Sequence, residues 1–160
     1  MTPRRRPESS FGGPGDSPGF LLWRTTLRWQ HHLAEALRPC GLTHVQFVLL
    51  ATVWWLTAPG AEDPSQRQVA DHAGIDVMMT SQVLRSLEAR GLVTRRADPA
   101  DSRVKRLTVT PRGAALAQKA VDIVEAADRE FFADVRDPAR LLSILRKLGN
   151  WQPSPGGPNS

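Results

Sequence analysis

Between Ser65 and Gly113 the sequence sets a short helix, a glycine turn, a second helix and a basic hairpin end to end, an order few folds accept. Ser65 can accept the backbone N–H of Gln68 while the Gln68 side chain reaches back to the N–H of Ser65, a reciprocal cap that starts a helix. His72-Ala73-Gly74 stops it, because glycine tolerates the left-handed conformation needed for a sharp exit. Asp76 then caps a second helix from Val77 to about Gly91, its negative charge favourable at that end. The intervening turn is about three or four residues, as helix-turn-helix geometry requires.

Two faces separate on the second helix. Val83, Leu84 and Leu87 take the inward stripe, while Met78, Ser81, Gln82, Arg85 and Ala89 recur at helical spacing on the other side. An outer face of hydroxyls, an amide, methionine and one arginine suits the major groove, which displays acceptors, an amino donor and the thymine methyl. Val77, Met78, Met79, Thr80, Ser81, Gln82 and Arg85 are therefore the expected reading residues. Gln82 can bond an adenine edge, Met78 or Met79 can touch a thymine methyl, and Ser81 and Arg85 can hold phosphates. The plainer alternative buries both methionines in the core and leaves Gln82 as ordinary surface.

After Gly91 the period falls to two through Leu92-Val93-Thr94-Arg95-Arg96. A charged turn, Ala97-Asp98-Pro99-Ala100-Asp101-Ser102, leads into Arg103-Val104-Lys105-Arg106-Leu107-Thr108-Val109. Asp101 stands two residues before Arg103, where it is expected to brace the guanidinium. Arg95, Arg96, Asp101, Ser102, Arg103 and Lys105 are the candidate wing contacts, and an arginine at such a tip can enter the neighbouring minor groove. Ser65, Gln66 and Arg67, opening the first of the two helices, are expected on the DNA backbone. Nine basic residues stand against five acidic ones from Ser65 to Arg112, so most of the chain's formal +5 lies here.

These marks resemble the multiple antibiotic resistance regulator (MarR) family of dimeric transcription factors. The likeness is carried by Leu42-Thr43-His44-Val45-Gln46-Phe47-Val48-Leu49-Leu50 and by the run Leu84 to Gly91 ahead of Leu92-Val93. Asp98-Pro99-Ala100-Asp101-Ser102-Arg103 ahead of Leu107-Thr108-Val109-Thr110-Pro111-Arg112-Gly113 completes it. It covers roughly residues 19–148. It implies that Asp101 and Arg103 form the wing pair, that residues 77–82 face the groove, and that the first, fifth and sixth helices interlock two copies. Many relatives carry Arg or Ser where this chain has Val77 and Met78, and Arg where it has Gln82, so its base preference need not follow theirs.

The expected fold is mainly α with a small β wing: a winged helix-turn-helix lobe at 43–113, between a dimerisation helix at 19–42 and dimerisation helices at 114–149. The Pro-, Gly- and Ser-rich residues 1–18, with Arg4-Arg5-Arg6, and 150–160, with Pro153 to Pro158, read as disordered tails. The first helix, Phe20 to about Arg38, carries Leu22, Trp29, Leu33 and Leu37 on one stripe with Trp23 and Leu27 beside it. Thr43 and Gln46 cap the next, which runs through Trp54-Trp55. Thr110-Pro111 starts a long helix expected to reach about Val135. Asp137-Pro138 opens the last, bearing Leu141, Ile144, Leu145 and Leu148 and ended by Gly149. A 25-residue helix spans roughly 37 Å, more than one small domain needs, so a second copy of the chain is the expected partner. Two reading helices then call for double-stranded DNA with an inverted repeat, half-sites about 10 base pairs between centres.

Other chemistry is sparse. His31 and His32 point to different faces of one helix, and His32 with Glu35 lacks an evident third ligand, so no metal site and no cofactor are expected. Cys40 follows Pro39, and Arg38 could favour its thiolate, which leaves a redox- or metal-sensing regulator as an alternative reading. A low-specificity architectural DNA binder and a protein-docking winged helix also remain open. Trp23, Trp29, Trp54 and Trp55 fall on the first two helices, which by the resemblance line a cleft for a hydrophobic or aromatic effector, with His44 as a polar anchor. No nucleophile elbow, Walker lysine loop or paired-histidine helix is present, so an enzyme is not expected. No apolar run approaches the roughly 18 residues of a membrane span, and no apolar leader opens the chain. A cytoplasmic bacterial protein, nucleoid-associated when on DNA, is the expectation.

Overall fold

A computed structural model describes residues 8–57 and 62–151. Its helices are α1 (Pro18–Leu37), α2 (His44–Leu56), α3 (Gln66–Ala73), α4 (Val77–Ala89), α5 (Pro111–Phe131) and α6 (Pro138–Leu148), with strands β1 (Val93–Ala97) and β2 (Lys105–Val109) between α4 and α5. Parts of both expected tails, residues 1–7 with Arg4 to Arg6 and 152–160 with Pro153 to Pro158, lie outside the described residues. Within the first of them, Pro14–Asp16 forms a single 3-10 turn and Ser17 accepts the N–H of Phe20, so α1 begins at Pro18.

The caps written in the sequence set the boundaries. Thr43 with Gln46 and Ser65 with Gln68 each form both bonds of a capping box. Asp76 accepts the N–H of Met79, Thr110 that of Gly113 and Asp137 that of Arg140. Gly74 takes a left-handed conformation with φ of 67°, which turns the chain from α3 into α4 within three residues. The α1 segment, extended by a 3-10 turn to Cys40, meets α2 at 72°. No single helix among the described residues is long and apolar enough to cross a membrane.

One core serves α1 to α5 and the two strands. Leu33 and Leu37 of α1, Leu49, Leu50 and Val53 of α2, Val69 of α3, and Leu84 and Leu87 of α4 are fully buried, together with Leu107 of β2 and Ala117 and Ala120 of α5. The strands are antiparallel, with Val93 opposite Val109 and Ala97 opposite Lys105. Leu107 N–H also donates to the Pro64 carbonyl at 2.9 Å, which ties the start of α3 to the wing edge.

The long helix ends four residues earlier than expected. Phe131 lies 5.9 Å from the His32 ring and beneath the Arg28 guanidinium, and the chain leaves the helix at Phe132. Its 21 residues still span about 31 Å. α6 buries none of its residues, and Trp151 just beyond it meets the His72 ring of α3 edge-on at 5.4 Å.

Candidate nucleic-acid interface

α4 presents its first turn outward. Val77, Met78 and Met79 are exposed, Met78 at 84%, so neither methionine belongs to the core. Gln82 and Arg85 are exposed and Ser81 is half-buried, which places Met78, Gln82 and Arg85 in one solvent-facing row.

Thr80 corrects the sequence reading. Its side chain is 0% exposed, so it cannot reach a base. It lies four residues before Leu84 and seven before Leu87, on the inward stripe; a polar side chain at an apolar position drew it to the wrong face. Its hydroxyl has no hydrogen-bond partner among the described residues. Thr80→Val, which removes an unpaired buried hydroxyl at constant shape, is expected to stabilise the chain by about 1 kcal/mol. Denaturant midpoints and DNA affinity check this together: the midpoint should rise while affinity stays unchanged, and a loss of affinity would return Thr80 to the DNA contact.

The wing carries two further corrections. Asp101 does not brace the Arg103 guanidinium; its carboxylate accepts the backbone N–H of Arg103 at 3.0 Å, because the tight turn brings the main chain to it first. Arg95 is not a free wing cation. It sits opposite Leu107 in the register and on the same strand face as buried Val93, so its head turns back to Gln66 Oε1 at 3.1 Å and Glu88 at 3.8 Å.

The guanidinium held inside the wing is that of Arg106. It reaches Asp98 at 2.5 Å, the Asp63 carbonyl at 3.0 Å and Glu62 at 3.3 Å, while Asp98 also accepts the N–H groups of Ala100 and Asp101. Hydrogen bonding to Arg106 holds the Asp98 carboxyl below the usual range, so the turn is locked around a carboxylate. No sequence spacing singled out Arg106, Asp98 and Asp63. Arg96, Arg103 and Lys105 remain exposed, and among the described residues none of them is ion-paired.

At the start of α3, the Ser65 hydroxyl is occupied by its cap and the Gln66 side-chain oxygen by Arg95. Arg67 is exposed, 3.9 Å from Asp71. Behind the exposed face of α4, Arg90 donates to the Gly41 carbonyl at 2.9 Å and Gln46 donates to Ser86 at 3.2 Å, which fixes α4 against α2.

Of the five residues expected around an effector, the structure brings Trp29 and His44 together. Their rings meet edge-on at 4.9 Å, and the indole N–H of Trp29 donates to Asp128 of α5 at 2.8 Å. Burial lowers the His44 pKa, with the Asp128 charge acting against it, so neutral imidazole is favoured. Trp54 packs partly buried on the core, whereas Trp23 and Trp55 are 60% and 61% exposed, with nothing among the described residues to cover these indoles. Cys40 is buried and Arg38 is paired with Glu35 instead, which leaves the thiolate reading without its cation. His32 Nε2 lies 3.1 Å from the Ala127 carbonyl, joining α1 to α5.

Comparison with known proteins gives a consistent picture. The sequence pattern of the MarR family matches residues 42–105. The chain is 41% identical over 140 residues to the uncharacterized HTH-type transcriptional regulator YdcH of Bacillus subtilis, covering 88% of this chain and 95% of YdcH. It is 36% identical to the HTH-type transcriptional repressor Rv2887 of Mycobacterium tuberculosis, covering 88% and 99%. CouR from Rhodococcus jostii is 29% identical. Its structure bound to p-coumaroyl-CoA superimposes with a TM-score of 0.73 over 90% of this chain and 99% of CouR. Its structure on a 23-mer DNA duplex gives 0.74 over 89% and 99%.

Proposed function

The chain belongs to the MarR family of winged helix-turn-helix regulators and binds DNA, and from that premise we propose that it is a homodimeric, cytoplasmic repressor of a pseudopalindromic operator. Its relatives are transcriptional regulators rather than enzymes. The reading rests above all on the division of charge in the wing. Arg106 is neutralised inside, while Arg96 and Lys105 on the strands and Arg103 in the turn between them stand exposed. α4 enters the major groove through Val77, Met78, Met79, Ser81, Gln82 and Arg85, the wing tip lies along the adjacent minor groove, and Arg67 meets the backbone.

Repression is supported by the likeness to Rv2887, and release by a hydrophobic or aromatic ligand by the CouR complex with p-coumaroyl-CoA. In this chain the corresponding chemistry is the Trp29, His44 and Asp128 group, where α1, α2 and α5 meet. A ligand wedged there changes the spacing of the two reading heads, and DNA affinity falls because both can no longer seat together.

Selection of duplexes from a random pool tests the reading directly. The expected result is a two-fold symmetric motif with half-sites about one helical turn apart. Arg103→Ala should then weaken operator binding roughly tenfold and lower the salt slope by about one per wing. Binding without enrichment that vanishes as salt rises would mean backbone attraction alone, the behaviour of an architectural protein.

A further inference from the structure

We propose that Met78 is a thymine-methyl reader and that, with Gln82, it fixes a half-site in which a thymine and an adenine lie about two base pairs apart. This deepens the operator-binding reading and rests on it. Val77, Met78 and Met79 form a continuous exposed apolar tip, with Met78 more exposed than any other large hydrophobic residue of the described chain. Nothing among the described residues covers this tip, and an apolar patch so exposed marks a contact surface.

The surroundings identify the occupant. Arg67, Arg85, Arg96, Arg103 and Lys105 are exposed on α3, α4 and the wing, and the positive end of the α4 dipole lies at the same tip. An apolar point on elements that also carry exposed cations fits a polyanion that carries methyl groups, and the thymine-lined major groove is such a surface. A protein partner would have to bury those guanidinium groups.

Spacing along α4 supplies the rest. Gln82 lies one turn beyond Met78 on the same exposed row, about 6 Å along the axis, against roughly 3.4 Å between stacked base pairs. The thioether packs on a 5-methyl group while the amide pairs with adenine N6 and N7. Thr80, which sits between them in sequence, is buried and takes no part.

The test replaces thymines by deoxyuridine, one half-site position at a time, in the symmetric operator selected by the wild-type protein. This removes one methyl group and no hydrogen-bonding atom. Wild type should lose about fourfold in affinity at one position per half-site, and about fifteenfold when both half-sites are changed. Met78→Ala should lose a similar factor on the thymine operator and be indifferent to the replacement. Restoring the methyl as 5-methylcytosine, paired with guanine, should recover part of the wild-type loss relative to cytosine.

Three results would overturn the proposal. One is wild-type affinity unchanged within twofold at every position. A second is a loss that persists undiminished in Met78→Ala, which assigns it to DNA shape. The third is a change of oligomeric state of the DNA-free Met78→Ala protein, which makes the tip a protein contact. Failure of the selection itself to yield a symmetric operator would instead strike the operator reading on which the proposal stands. Because Met78 is exposed, its substitution should leave the thermal midpoint unchanged.

Discussion

Gly113→Ala should remove about 3 kcal/mol or more of stability and lower the thermal midpoint by roughly 10 °C. A Cβ built on Gly113 would stand 2.0 Å from the carbonyl oxygen of Leu92 and 2.9 Å from both its carbonyl carbon and Val109 Cγ2. The obstacle is main chain, so no side chain can swing aside. Nor is the position free to drift. Gly113 N–H donates to the Thr110 hydroxyl at 3.0 Å, that hydroxyl donates to the Gly91 carbonyl at 2.8 Å, and Thr110 N–H donates to the Leu92 carbonyl at 3.0 Å. The first turn of α5 is thus bonded to the root of the wing at the point where alanine would push them apart. Gly19→Ala is the control: it lies in the first turn of α1, meets nothing within 4 Å, and should be neutral or slightly stabilising. Equal midpoints for the two variants would show that α5 does not approach the wing this closely.

The glycine that matters most here was visible in the sequence only as part of a family signature, and that contrast runs through the molecule. Features decided within a few residues were legible. Thr43 with Gln46, Ser65 with Gln68, Asp76 and Thr110-Pro111 cap helices through bonds spanning three positions, so the sequence contains the whole interaction. Face assignments were legible where residue chemistry agreed with helical position, as at Leu84, Leu87 and Gln82. They failed where the two disagreed. Thr80 is polar on the inward stripe, and Arg95 is charged on the buried side of a strand whose period of two, counted from Val93, already turned it inward. The Arg106 cluster was out of reach for another reason. It joins Asp98, eight residues away across the hairpin, to Glu62 and Asp63, more than forty residues away, and only the pairing of the Pro64 segment with β2 brings those two to Arg106. The exposure of Trp23 and Trp55 has the same origin one level up if the proposed dimer covers them, since none of the described residues does.

Leu145→Glu with Leu148→Glu is expected to convert the protein to a monomer and to weaken operator binding by a hundredfold or more. In α6, Leu142, Ile144, Leu145 and Leu148 are all exposed, the last at 71%, and the N-terminal half of α1 exposes Phe20, Leu21, Leu22, Trp23 and Leu27. Two apolar helix faces left bare by the described residues call for a common cover, and the proposed two-fold dimer supplies it with a second copy of the same surfaces. The effect on DNA follows from linkage rather than from any lost DNA contact. In a dimer the second reading head binds at the high local concentration set by the first, and a monomer forfeits that term while keeping Met78, Gln82 and Arg103 intact. The salt slope should therefore fall to about half, since one head neutralises about half the phosphates. Light scattering and operator titrations at two salt concentrations separate the possibilities. A monomer with native helicity and a halved slope supports the dimeric reader, whereas a variant that stays dimeric places the interface elsewhere. A monomer that keeps full operator affinity would mean that each half-site is read alone, and the symmetry of the operator would then have no cause in the protein.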